Sequence, residues 1–333
     1  MTKSRGAVAA MALHPRRLVW LGAGRSASSG RSIIATSTAN AQTGDRVVRG
    51  MGMALLTFTI FSCADAAVKW LSARYSIFQI ISISTLFALV PVTGLILRRG
   101  SLSALRPRHP WLVAARAILL AVDIVMVYFA FTRLSLAEAY ALLFMVPMLV
   151  TALSVPLLGE QVGWRRWTAV VVGFIGILIV LRPGLSPLNL GHLAALGSTM
   201  FFALSLIIAR RIGNSESAGS LLLSMMVAVL IISLPAMADV YVPPSAVDLV
   251  VLAGLGLLMG TGHLGLIQAS RLAPSNLVAP FHYSQMIWAV IFGLLLFGDR
   301  PDQWVIIGSA VIIGSGLYIL WRETVRARQA AAA

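Results

Sequence analysis

The chain has 333 residues, of which 59% are hydrophobic and 11% charged, with a mean hydropathy of +0.89. Soluble domains carry about a quarter charged residues, so this composition excludes a soluble globular protein and points to a polytopic membrane protein. The net charge of +15 would suit a nucleic-acid ligand only if the basic residues formed one surface. They sit instead at the ends of apolar runs, where they set topology.

Residues 1–49 are rich in Ser, Ala, Gly and Arg, with no acid before Asp45. They read as a disordered basic extension, a composition shared by a transit peptide and by sequence upstream of a later start at Met51 or Met53. Ten apolar spans follow, each near the length of about twenty residues that crosses the hydrocarbon layer as a helix. They are predicted at Gly50 to Leu71, Ile77 to Leu97, Trp111 to Phe131, Ala139 to Leu158, Trp167 to Leu181, His192 to Ala209, Ser217 to Ala238, Val247 to Ile267, Leu277 to Phe297 and Trp304 to Trp321. Arginines crowd one side of this layout (Arg98, Arg99, Arg106, Arg108, Arg165, Arg166, Arg210, Arg211, Arg271 and Arg322), whereas Arg74, Arg133, Arg182 and Arg300 fall on the other. The excess of positive charge predicts that both termini are cytoplasmic. The one cysteine, Cys63, lies inside span 1, which excludes a disulfide framework or a thiolate metal site.

The second half repeats the first. Thr132 to Glu138 opens span 4 and Ser270 to Asn276 opens span 9, at an offset of 138. Leu158-Gly159-Glu160 closes span 4 as Phe297-Gly298-Asp299 closes span 9. The layout is therefore residues 1–49, a first repeat at 50–184, a second at 185–323 and a basic tail at 324–333. Because each unit has five spans, an odd number, the copies enter the membrane from opposite sides. The fold class is all-α, ten transmembrane helices in two inverted five-helix repeats, with a site expected at the midplane between them.

On these residues the chain resembles the drug/metabolite transporter superfamily in its ten-span form, built from two EamA-type repeats. The likeness runs over roughly Gly50 to Glu323. It rests on Arg133-Leu134, Pro147, Gly159-Glu160, Gly173-Phe174-Ile175-Gly176 and Arg182-Pro183-Gly184 in the first half, and on Ala279-Pro280-Phe281-His282-Tyr283 and Phe297-Gly298-Asp299-Arg300-Pro301 in the second. The resemblance implies a basket in which spans 1, 3, 4, 6, 8 and 9 enclose a cavity and spans 5 and 10 are peripheral. Asp65-Ala66-Ala67-Val68-Lys69, Tyr75 to Gln79 and Ala279 to Gln285 are similar to the subgroup with riboflavin and S-adenosylmethionine uptake transporters. Many of those relatives place an arginine in span 2, where this chain has Ser82, Ile83 and Ser84.

The polar residues inside the spans are the candidate site. A charge at the bilayer centre costs at least about 2.5 to 3.5 kcal/mol, so Asp123, near the middle of span 3, must face protein or water. Arg116 is seven positions away on the same face, as a cavity residue or as one that snorkels to the interface. Asp65 and Lys69, spaced i to i+4, read either as a helical ion pair or as an outer gate with Glu138. Span 9 offers Asn276, His282, Tyr283 and Gln285; Pro280 there, like Pro147 in span 4, kinks the helix and frees a carbonyl. Tyr128, Tyr140, Tyr283 and Trp288 offer rings for a planar ligand. His263, Gln268, Ser198 and Thr199 are weaker candidates. Gly256 and Gly260, and Gly308 with Gly314 and Gly316, read as close-packing faces.

No histidine pair has metal-ligand spacing and none has an acid five residues on, which weighs against a polytopic membrane enzyme. No cofactor is implied. A channel would favour rings from repeated subunits, whereas an inverted duplication suits a secondary transporter working by alternating access. The expected partners are the lipid bilayer, a small organic solute and a coupling ion such as the proton. Riboflavin uptake is the first reading, from the subgroup resemblance and the neutral aromatic-plus-amide character of span 9. S-adenosylmethionine uptake and amino-acid or drug efflux are the alternatives.

Overall fold

The computed structural model describes the backbone of residues 29–98, 105–185 and 187–332, and side chains within those ranges from Arg46 onward except at 214, 275, 276, 323, 324 and 326–332. Residues 45–333 form one compact unit. Every regular element among the described residues is helical. Among the described residues, ten helices are long and apolar enough to cross a membrane: Arg46–Leu71, Ile77–Arg98, Pro110–Arg133, Leu136–Leu158, Trp164–Leu181, Leu190–Ile212, Ala218–Ala238, Ala246–Leu272, Ala279–Phe297 and Gln303–Arg322, called spans 1 to 10. The disorder expected for residues 1–49 lies outside the described residues up to position 28. A helix runs over Ser29–Leu71.

The packing follows an inverted repeat. Exchanging span n with span n+5 maps the observed neighbours onto one another. Spans 2 and 7, 4 and 9, and 5 and 10 pack as self-related pairs, and span 2 packs on span 8 as span 7 packs on span 3. The ends agree in atomic detail. A Cβ on Gly191, at the start of span 6, would lie 2.6 Å from Cβ of Arg133, which ends span 3; one on Gly50, at the start of span 1, would lie 2.6 Å from Cβ of Ala273, just past span 8. Two copies of one close approach are preserved.

In lipid the hydrophobic effect does not distinguish helix from hydrocarbon, so spans associate where small residues let backbones touch. On span 8, Cβ atoms at Gly256 and Gly260 would fall 2.1 Å from the Ser84 carbonyl oxygen and 2.5 Å from that of Ala88, both on span 2. Between spans 5 and 10, a Cβ on Gly308 would lie 2.7 Å from the Gly176 oxygen. The small Ser82 of span 2 donates to Ser233 of span 7 at 2.8 Å. Gly314 corrects the sequence reading: a Cβ there would meet nothing within 4 Å among the described residues, so it marks no close helix contact.

Overpacking a tight contact typically costs about 1–3 kcal/mol. Gly256→Val is therefore expected to lower thermal stability in detergent, read by light scattering or size exclusion, by that order. Gly314→Ala should leave it within about 0.5 kcal/mol, the usual range away from packed positions.

Candidate transport cavity

Spans 4 and 9 are not regular helices. Span 4 consists of Leu136–Leu143 and Val146–Leu158, with Pro147 opening the second piece after a break at Phe144 and Met145. Span 9 starts with Ser275–Val278, tightens to a 3₁₀ turn over Ala279–Tyr283 with Pro280 in its first turn, resumes at Ser284–Phe292 and ends in a π-turn at Gly293–Phe297. At the repeat offset the two breaks fall at the same level, Phe144 and Met145 against His282 and Tyr283. Non-helical backbone at membrane depth is tolerated only against protein or a wet cavity, so the breaks mark the interior.

A chain of rings runs through this level: Tyr128 to Phe131 with centroids 6.5 Å apart, Phe131 to Tyr140 at 5.8 Å, Tyr140 to Phe144 at 5.8 Å, and Phe144 to His282 at 5.3 Å and Tyr283 at 5.0 Å. His282 in turn lies 5.2 Å from Phe58 of span 1. Not every predicted ring faces the centre. Trp288 stacks on Phe292 of its own helix. The Tyr283 hydroxyl has no hydrogen-bond partner and points at Gly316 of span 10, where a Cβ would collide with it. Gly316 is thus the seat of a phenol.

Asp65 and Lys69 do not pair with each other. The Tyr140 hydroxyl donates to Asp65 in a short contact and accepts from Nε2 of Gln285 at 2.9 Å, so one phenol links spans 1, 4 and 9. Lys69, one turn nearer the membrane surface, donates to Asp299 at 2.7 Å and to the Leu134 carbonyl at 2.9 Å. An ammonium has three donors, and partners just past spans 3 and 9 satisfy more of them than a single carboxylate one turn away.

Asp123 accepts from the Ser198 hydroxyl of span 6 at 2.5 Å. Arg116, two turns along span 3, makes no ion pair with it; seven residues is about 10 Å of helix axis. The buried Nε of Arg116 has no hydrogen-bond partner among the described residues. The His263 ring itself bonds the Met259 carbonyl at 2.8 Å, and Thr199 bonds its own helix. The side chain of Asn276 lies outside the described residues.

The two ends of the bundle differ. At the end poor in arginine, Glu138 accepts from His192 at 3.0 Å, Arg74 and Tyr75 hold Asp248 at 3.2 and 2.7 Å, and Arg182 pairs with Asp302. Gln79 also donates to and accepts from Val242 there, at 2.6 and 2.9 Å. The Asn189 N–H donates to Nδ1 of His192 at 3.0 Å, which fixes the proton on Nε2, where it reaches Glu138. At the basic end a cavity of about 460 Å³ opens among spans 1, 2, 7 and 8, lined by Met53, Ile96, Leu222, Leu264, Gln268 and Arg271. A second cavity, of about 410 Å³, lies among spans 1, 8 and 9 toward the arginine-poor end, lined by Cys63, Trp70, Val251 and Leu296. Sequence reasoning missed Ser198 as the partner of Asp123 and His192 as that of Glu138. It missed Asp299 too, although that residue stood in the paired closing motifs.

The EamA-like transporter family matches the chain twice, over residues 48–182 and 189–321. The S-adenosylmethionine uptake transporter of Rickettsia conorii is 26% identical over 274 residues, 82% of this chain and 93% of that protein. The riboflavin transporter of Rhizobium johnstonii is 26% identical over 293 residues, 86% and 95% of the two chains. A crystal structure of a protein 16% identical in sequence superposes with a TM-score of 0.58 over 85% of this chain and 98% of that one, a likeness of fold alone.

Removing the bridging hydroxyl would leave two buried groups unpaired, at about 1–3 kcal/mol. Tyr140→Phe should destabilise the purified protein by that order in thermal melts, and adding Gln285→Leu should cost much less than it does alone, because both act on one network.

Proposed function

The chain belongs to the EamA-like transporter family, and on that premise we propose that it carries a small cationic metabolite of the S-adenosylmethionine class by alternating access. The protein is a multi-pass membrane protein of a small-metabolite transporter family. The observation that carries the substrate class is the pair of carboxylates, Asp65 and Asp123, which are held by hydroxyls and make no ion pair among the described residues. A charged group in this setting needs a counter-charge or a proton. A sulfonium and an ammonium would supply the former, the partnerless Nε of Arg116 would meet a substrate carboxylate, and the ring chain of spans 3, 4 and 9 would take a purine face. A coupled proton at the same carboxylates would serve the empty return step.

Alternating access follows from the repeat. Two halves related by inversion have two equivalent ways of packing, each opening the centre to one face. Broken spans 4 and 9, abutting at Phe144 and His282, are where the halves would rock. With the arginine-rich end in the cytoplasm, as the positive-inside bias supports, the arginine-poor end faces outward in a plasma membrane, the inner one in a bacterium. A carrier rather than a membrane enzyme is the reading that the family and the inverted architecture support.

Riboflavin is the second reading. It is favoured by the continuous aromatic surface from Tyr128 to His282 and by the Gln285 amide, which suit a neutral planar ring system.

Uptake of labelled S-adenosylmethionine into cells expressing the protein separates these readings. Asp123→Asn is expected to lower it by at least about tenfold, the scale of one lost charge-assisted contact, while leaving protein levels unchanged. Absence of S-adenosylmethionine uptake, together with growth of riboflavin-requiring cells at low external riboflavin, would select the second reading.

A further inference from the structure

Two ion pairs occupy related places in the two repeats. Lys69, near the end of span 1, pairs with Asp299, just past span 9, at 2.7 Å. Arg210, near the end of span 6, pairs with Glu160, just past span 4, at 3.7 Å. Exchanging span n with span n+5 turns span 1 into span 6 and span 9 into span 4, so one pair maps onto the other, at opposite ends of the bundle.

The acids are placed by the same backbone device. Gly159 closes span 4 at φ 69 and ψ 19, and Gly298 closes span 9 at φ 67 and ψ 12. Both are left-handed, a conformation that favours glycine. The next residue then donates its N–H six positions back, Glu160 to Ser154 at 3.3 Å and Asp299 to Gly293 at 2.8 Å, the wrapped-back cap of a Schellman turn. The carboxylate is thereby aimed from the same corner of each half.

The two pairs differ in closure. Lys69 and Asp299 are 16% and 31% exposed and in direct contact, with the ammonium also on the Leu134 carbonyl and over the Phe297 ring. Arg210 and Glu160 are each 39% exposed and stand 3.7 Å apart, at the opposite, arginine-rich end. A pair in direct contact at one end and a longer pair at the other is what one gate built twice would look like midway through a cycle.

We propose that Lys69–Asp299 and Arg210–Glu160 are a duplicated gate, and that transport alternates between tightening one pair and tightening the other. The proposal rests on the alternating-access reading. Each pair stabilises one end state, so their difference sets the balance between states, and neither alone decides whether the protein folds.

The test places spin labels in Cys63→Ser protein in liposomes, at Ala73 and Arg300 for the first end and at Gln161 and Arg211 for the second, and measures label distances. Two distance populations are expected at each end. Asp299→Asn should favour separation at the first end and approach at the second by about two- to five-fold in population, the range of a partly exposed ion pair. Glu160→Gln should do the reverse, and the double variant should return to the starting ratio. The exchange Lys69→Asp with Asp299→Lys should restore it as well, which guards against a folding defect. Variants that both shift the same way, or not at all, while wild type keeps two populations would overturn the gate and leave the transporter reading intact. A single population at both ends of the wild type would overturn both.

Discussion

A carboxylate inside a hydrocarbon layer must be given a partner, water or a proton, because its burial alone costs several kcal/mol. Much of this molecule follows from that constraint. Asp65 and Asp123 oblige spans 1 and 3 to turn those faces inward, toward Tyr140 on span 4 and Ser198 on span 6. Inward-facing polar groups in turn make room for the interrupted backbone of spans 4 and 9, which would be untenable against lipid. The small residues of spans 2, 5, 8 and 10 then draw the outer contacts close enough to hold the enclosure.

The fold was legible in the sequence because its determinants are long-range averages. Hydrocarbon thickness fixes the length of each span, and charge at the span ends fixes their alternation. A repeated Arg-Leu opening and Gly-acid closing exposed the duplication. The inverted packing followed from counting five spans per copy. The breaks in spans 4 and 9 were foreshadowed by Pro147 and Pro280, although the 3₁₀ and π-turns around the second had no separate signal.

Pairings between side chains were less legible, because they depend on which helix a residue meets and at what depth. The Asp65 and Lys69 spacing suits a helical pair, yet each finds its partner on another span. Asp123 and Arg116 share a face but lie too far along the axis to touch. The tyrosines show the same limit: Tyr140 is the junction of the central network, whereas Tyr283, equally plausible from sequence, sends its hydroxyl to span 10. Asp299 had a usable signal in the matching of Leu158-Gly159-Glu160 with Phe297-Gly298-Asp299, since a motif preserved in both copies at opposite faces marks a feature needed at both.

The two copies have drifted in side-chain length as well as in sequence. At one end the cation and acid are lysine and aspartate, and at the other arginine and glutamate, each a longer reach than its relative. A short pair demands near-contact of the helix ends, whereas a long, forked pair can grip across a wider mouth. As a gate, the arginine-rich mouth would stay engaged while still ajar, and the opposite one would be held only when fully drawn together. In the proposed gate, a guanidinium in place of an ammonium and one methylene more on the acid would be enough to give a symmetric machine a preferred resting posture.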